Sequence, residues 1–276
     1  MDNNCFSVAM SVYKNDNAVH FDRALQSITD DQTVRPNEIV LVVDGPVGSE
    51  INSVIDKYAE KYGIFKILRL EQNGGLGNAL RLAVENSTYG IIARMDSDDV
   101  SLPYRFEEQL KLMNETDADV VGGFMTEFIG EEKNVIGVRA VAVGDREIKL
   151  EMKKRCAVNH VTSMYKKSAV TSSGGYLDWY CNEDYYLWIR MMLKGYSFAN
   201  SEKTFVNVRV GEEMYRRRGG KKYFISEARL QGYMLKNKLI SFPRYMLNVN
   251  IRLAVQLLLP NAVRGWVFKK FARKPV

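Results

Sequence analysis

The alternation of the first hundred residues limits the fold more than any other feature. Short apolar runs stand at Phe6 to Val12, Glu38 to Val43, Phe65 to Leu70 and Gly90 to Met95, and between them Phe21 to Ile28, Ile51 to Tyr62 and Gly77 to Asn86 carry apolar residues at helical spacing. Strand-like runs this short and this apolar are buried on both sides. Joined by helices, they predict an α/β chain with a Rossmann-like, mostly parallel central sheet and helices on both faces. In such a sheet ligands bind beyond the carboxyl ends of the strands. The loops at 13–16, 44–48, 73–77 and 96–99 are therefore where chemistry is expected.

Beyond Pro103 the pattern continues with a helix from Tyr104 to Asn114, a strand near Val120 to Phe124, a less regular acidic stretch to Gly144 and a charged helix around Arg146 to Lys154. A catalytic domain is expected over 1–210, with a nucleotide-binding half to about residue 100 and an acceptor half after it. A basic, helical C-terminal extension is expected over 211–276. Residues 1–202 carry 22 Lys and Arg against 30 Asp and Glu, whereas 203–276 carry 17 against 3. A basic tail on an acidic body points to an anionic partner: nucleic acid, a phosphorylated substrate or an anionic lipid surface.

Cys5, Cys156 and Cys181 have no CxxC spacing, so neither a zinc site nor a disulfide framework is expected. No secretory signal is visible at the N-terminus, and no run of about 20 apolar residues occurs. A cytoplasmic, peripheral protein is the expectation. Tyr245 to Leu259 and Val263 to Phe271 mix cations with aliphatic and aromatic residues in the manner of interfacial helices, although packing against the catalytic domain would use the same pattern.

The densest chemical motif is Asp96-Ser97-Asp98-Asp99 at the end of a predicted buried strand. Crowded like charges need an offset, and a hard divalent cation shared with a diphosphate supplies one. Turn and N-cap chemistry is the alternative use of such residues. Asp44, after Val43 and before Gly45, can accept a hydrogen bond from a pyrimidine N–H or close a turn. Asn73-Gly74-Gly75-Leu76-Gly77-Asn78 brings three glycines to a helix start, where free N–H groups suit phosphate, but it is neither GxGxxG nor a P-loop. Glu183 and Asp184 open a predicted amphipathic helix, the place for a general base or for a simple cap. Asn159-His160 follows a turn, and His160 is read as a phosphate or sugar contact.

Taken together, Tyr13, Asp44, Asn73 to Ala79, Asp96 to Asp99, Asn159-His160, Gly174-Gly175-Tyr176 and Glu183-Asp184 resemble the family 2 glycosyltransferases of GT-A fold, over about residues 5–210. The resemblance implies a donor site of Ser11, Tyr13, Asp44, Asn73, Gly75, Leu76, Asp96, Ser97, Asp98 and Gly175. Within it Asp44 would contact uracil, Asp96 would face the ribose and Asp98 would hold Mn²⁺ or Mg²⁺. Asp184 would be the catalytic base, and Glu183 would orient the acceptor. Two departures stand out: Gly45 directly follows Asp44 where the family usually has a second acid, and the processive Gln-x-x-Arg-Trp motif is missing. In its place five cations crowd Met214 to Lys222, similar to a segment of bacterial enzymes of O-antigen and capsule clusters that add a single sugar. Arg217 and Arg218 are the expected contacts to a diphosphate there.

The expected activity is inverting transfer of a hexose from a UDP-sugar to a hydroxyl of a glycan, on an undecaprenyl-diphosphate carrier, at the inner face of a bacterial membrane, with no nucleic acid involved. Two rivals stay open at this stage. A sugar nucleotidyltransferase uses similar carboxylates, although the chain lacks its Arg- and Lys-bearing glycine loop after the first strand. A non-enzymatic lipid or nucleic-acid binder would need only the basic tail.

Overall fold

The computed structural model describes residues 5–211 and 219–259. One nine-stranded sheet organises them. Strands β1 (Phe6–Val12), β2 (Glu38–Val43), β3 (Phe65–Arg69) and β4 (Ile91–Met95) alternate with helices α1 (Ala18–Ile28), α2 (Ser49–Lys61) and α3 (Leu76–Asn86) and lie parallel in the order β3-β2-β1-β4. The order reverses direction about β1, leaving a crevice at the carboxyl ends of β1 and β4.

The other half is mixed. A two-residue strand β5 (Val100–Ser101) precedes α4 (Arg105–Thr116), and β6 (Val120–Phe128) runs parallel to β9 (Phe198–Arg209) but antiparallel to β7 (Val135–Arg139) and β8 (Met164–Lys166). The stretch before Gly144, irregular by sequence, is thus a β-hairpin, β6 running four residues beyond Phe124 to meet β7. Its exposed acidic turn hides the period-two signal. Helices α5 (Asp145–Met152), α6 (Lys167–Ser172) and α7 (Glu183–Leu193) and a 3₁₀ turn at His160–Thr162 complete this half.

Each central strand divides its side chains between two cores, as a pleat requires. Val8, Met10, Ile39, Leu41 and Val43 pack with Phe21, Leu25, Ile55, Phe106 and Leu110 of α1, α2 and α4. Ala9, Val40, Val42 and Ile92 pack with Leu80, Ile148, Val170 and Trp188 of α3, α5, α6 and α7. Burying each large aliphatic side chain contributes about 1.5–3 kcal/mol, so a sheet lined on both faces is stable only with both helical layers in place.

After residue 219 the chain forms α8 (Lys221–Lys236) and α9 (Phe242–Leu253), the latter extended by a wide turn over Ala254–Leu258. Leu230 and Met234 of α8 and Ile240 lie in the same core as Trp188 of α7. The second tail segment, Val263 to Phe271, lies outside the described residues, as do Arg217 and Arg218.

Candidate functional site

Strand register lines up the sequence-predicted groups. Met10 of β1 pairs with Met95 of β4, and Val12 with Val43 of β2. Ser11, Tyr13, Asp44 and Asp96 therefore emerge at one level, on the rim where β1, β2 and β4 end.

Asp44 is 4% exposed. Its carboxylate accepts from the Asn73 amide at 3.0 Å and from the Gly74 and Gly75 N–H groups at 2.7 and 3.0 Å. Of the roughly four acceptor positions on a carboxylate, three are used to hold the glycine loop. Asp44 is thus a clasp before it is a base contact. Gly45 completes the clasp, because at φ +87° a Cβ there would lie 2.8 Å from the Asn73 nitrogen. Gly75, at φ +83°, then caps α3, and Leu76 opens it with 37% of its surface exposed.

Beside β1, the Tyr13 N–H donates to Asp16 at 3.0 Å and the Ser97 hydroxyl to the same oxygen at 2.8 Å. Desolvation and the nearby Asp96 raise the Asp16 carboxyl against those two hydrogen bonds. Asp96 itself is gripped by both terminal nitrogens of Arg94, whose side chain is 3% exposed. A lone arginine inside an otherwise apolar strand was the sign of this clamp: a buried cation needs a partner, and the acid two residues on is in reach. The Arg94 Nε has no partner among the described groups.

Asp98 carries its carboxyl up to about 6, through desolvation first and then the charges of Asp96 and Asp16. Its side chain nonetheless has an exposed edge, so protein surrounds the carboxyl without sealing it. Asp99 is buried, raised by desolvation and by Asp98, and accepts the Arg209 N–H from β9 at 2.8 Å. Three carboxylates crowded at the strand end, with one arginine committed to Asp96 and Asp98 itself exposed, fit a hard divalent cation at Asp98. No trio of His, Cys, Asp or Glu among the described residues encloses a metal unaided. Phosphate oxygens would have to supply the remaining ligands, as is usual for Mg²⁺.

The opposite wall comes from the second half. The Tyr176 hydroxyl donates to Tyr165 at 3.4 Å, which makes the His160 Nε2–H the donor in the 2.9 Å hydrogen bond between His160 and Tyr176. Desolvation and Arg94 hold His160 well below the ordinary histidine range, so it acts as a neutral hydrogen-bonding group. Asn159, by contrast, is fully buried and donates to the Gly123 and Arg139 carbonyls at 2.8 and 3.2 Å; it builds the turn. Gly174 and Gly175 adopt φ +87° and +64°, and Arg190 of α7 donates to the Gly175 carbonyl at 2.6 Å.

Helix α7 begins with Glu183 and Asp184. Glu183 is pushed up to about 7, by desolvation first, then by Asp184, with Arg94 opposing and Asp96 adding. The charges of Arg94 and Asp96 are thus felt at Glu183, at the start of α7. A Cβ on Gly77 would touch the Leu177 carbonyl at 3.4 Å and the Glu183 Cβ at 3.6 Å, so α3 and α7 abut. Cys156, half-buried, sits with its sulfur 3.9 Å from an Asp184 oxygen; desolvation and Asp184 keep it a thiol. Neither Cys156 nor Ser226 was legible in sequence. Ser226 of α8 accepts from the Asn182 amide at 3.1 Å and from the Trp179 indole, through its carbonyl, at 3.2 Å.

A profile of Glycosyl transferase family 2 matches residues 7–170. The chain is 34% identical over 270 residues, 98% of its own length and 97% of the other, to an Escherichia coli UDP-Gal:alpha-D-GlcNAc-diphosphoundecaprenol beta-1,3-galactosyltransferase. Its fold is similar to that of S. aureus TarS in complex with UDP-GlcNAc (TM-score 0.67, 17% identity, 91% of this chain and 72% of that one). It is also similar to a Pyrobaculum calidifontis mannosyltransferase in complex with GDP-Man and Mn²⁺ (TM-score 0.61, 14% identity, 96% and 80%). The GT-A fold expected from the sequence agrees with these likenesses, and the activity of a glycosyltransferase replaces both rival readings. With a profile over more than half its length and a relative of this identity along nearly all of it, the chain belongs to glycosyl transferase family 2.

Proposed function

We propose that the protein is an inverting hexosyltransferase that moves a sugar from a UDP donor to a hydroxyl of a glycan carried on undecaprenyl diphosphate, in the assembly of a bacterial surface polysaccharide. The observation that supports this reading is the abutment of α3 on α7: the glycine loop clasped by Asp44 at the strand ends opens α3, and Gly77 in its first turn packs against Glu183 at the start of α7. A donor bound at the strand ends would then lie directly before the start of α7. The E. coli relative, named for a UDP-sugar and a diphosphoundecaprenol acceptor, supports the choice of substrates.

Ser11, Tyr13 and the clasped Asn73–Leu76 loop would bind the nucleotide, with Asp96 toward the ribose. Asp98 would hold a divalent cation, which would supply charge neutralisation for the departing nucleoside diphosphate; the Mn²⁺ complex of the Pyrobaculum structure supports that choice. Asp184 takes the acceptor hydroxyl proton as that oxygen attacks the anomeric carbon opposite the leaving group. One displacement inverts the configuration. Glu183, raised to about 7, is partly protonated at neutral pH and can donate to an acceptor hydroxyl, which orients it. His160 and Gly175 would border the sugar.

Incubating the protein with labelled UDP-sugars and a lipid-diphosphate-linked monosaccharide, with Mn²⁺ or chelator, tests this directly. Transfer requiring metal and giving a product of inverted anomeric configuration is expected. A retained configuration, or full turnover in chelator, would sink the mechanism.

A further inference from the structure

Helix α9 is turned inside out relative to a helix on a water-facing surface. Asn248, Arg252 and Gln256, four residues apart, form its polar stripe, and that stripe faces the protein. Asn248 is 4% exposed and donates to the Lys153 carbonyl at 2.9 Å and to Gln231 at 2.7 Å. Arg252 pairs with Glu227 of α8 and donates to the Lys154 carbonyl at 2.8 Å. These contacts fix the rotation of the helix. The apolar residues are left outside, with Phe242 62%, Leu247 49% and Ile251 52% exposed, and Met246, Leu253 and Leu257 similarly open. At about 100° per residue they span roughly half of the helix circumference, interrupted by Asn250, which is exposed and donates back to the Met246 carbonyl at 2.8 Å; this is the half that water would ordinarily claim for charges.

Charge selects what covers this face. Residues 219–276 hold twelve Lys and Arg and one acid, Glu227, which is already paired. A second copy packed face to face through α9 would bring the same positive charge, and the segment 260–276 adds five cations and no acid. An anionic bilayer supplies both an apolar interior for the six side chains and negative headgroups for the cations around them. We propose that the outward face of α9 is a lipid-contacting surface that seats the protein on an anionic membrane. The inference rests on reading the acceptor as lipid-linked, and it adds the surface and the orientation by which that acceptor is met.

Vesicle co-sedimentation of the full chain tests it, with phosphatidylcholine vesicles with and without phosphatidylglycerol. Wild type is expected to bind the anionic vesicles at least about tenfold more tightly than the neutral ones, and less tightly as salt is raised. Leu247→Glu with Ile251→Glu, and the milder Leu247→Ser with Ile251→Ser, should each weaken that binding about tenfold or more while leaving the melting temperature and transfer to a water-soluble acceptor unchanged. Equal binding by wild type and both variants overturns the proposal. So does a wild-type dimer in sedimentation velocity that the variants disperse without any vesicle binding, which gives the face to a second copy. Cross-links from 260–276 to α9 that persist when vesicles are added give it to the tail. Wild type that binds vesicles but transfers no sugar counts against the functional reading alone.

Discussion

Two acidic clusters face each other in this molecule, and they manage their charge in opposite ways. At the end of β4 the repulsion is relieved by a protein cation: Arg94 is buried, clamps Asp96 with both terminal nitrogens, and leaves Asp98 crowded but open. At the start of α7 no side-chain cation among the described residues forms an ion pair with Glu183, and its carboxyl rises to about 7. Arg94 opposes the rise of the Asp98 carboxyl, which at about 6 stays mostly ionised at neutral pH and ready for a ligand cation. A shifted proton equilibrium makes a group that can donate as well as accept. On the proposed mechanism, the contrast would separate a donor side built for charge from an acceptor side built for proton traffic.

The sharpest test removes the proposed base. Asp184→Asn should lower transfer by about 10³-fold, within the usual 10²–10⁴-fold contribution of a general base, with the circular-dichroism melt little changed; a loss below tenfold would move the proton-accepting role elsewhere. On the donor side, Asp98→Ala should lower transfer about 10²–10³-fold and weaken Mn²⁺-dependent UDP binding, read by calorimetry. UDP affinity that stays metal-dependent in this variant would break the assignment of Asp98.

Asp44→Asn probes the clasp between β2 and the glycine loop. Replacing a charged acceptor of three hydrogen bonds by an amide should destabilise the fold by about 2 kcal/mol, measured by urea unfolding, and raise the donor KM without a matching fall in kcat. A change in kcat alone would mean that Asp44 serves the reaction and not the loop.

The smallest effect is the most diagnostic of the comparison. Because the folded Glu183 binds its proton more tightly than an ordinary glutamate, the native state holds more protons than the unfolded chain between pH 4.5 and about 7. Its stabilising contribution is therefore present below that window and lost as pH rises through it. Glu183→Gln should flatten the stability profile and make the metal-free protein about 1–2 kcal/mol more stable than wild type at pH 8. A variant whose profile parallels wild type from pH 5 to 8 would remove the proton from this side of the contrast.

The sequence made much of this readable, for a physical reason. Strands buried on both faces announce themselves as unbroken apolar runs, so β1, β2, β3 and β4 and the helices between them were visible, and with them the loops that hold Asp44, Asn73 and Asp96. The β6–β7 hairpin was hidden because its turn, Gly130 to Asn134, is acidic and polar and carries no alternation of its own. Asp44 could be picked out, but its three loop partners could not, since two of them are backbone N–H groups that leave no mark in residue identity. Helix α9 was legible as amphipathic, while which face it turns outward depends on Asn248 and Arg252 finding partners about a hundred residues earlier, at Lys153 and Lys154. The five cations from Met214 to Lys222 kept their interest, with Arg217 and Arg218 beyond the described residues.

The joint between α7 and α8 carries one more consequence. Asn182, the residue before Glu183, donates to the Ser226 hydroxyl; that hydroxyl donates to the Tyr180 carbonyl at 2.6 Å, and Leu230 and Met234 fill the core beneath Trp188. The helix bearing the acid pair and the helices at the basic end thus travel as one piece. Whatever surface takes hold of α9 sets the height and tilt of the acid pair above it, so that reach to an acceptor becomes a property of anchorage instead of loop motion.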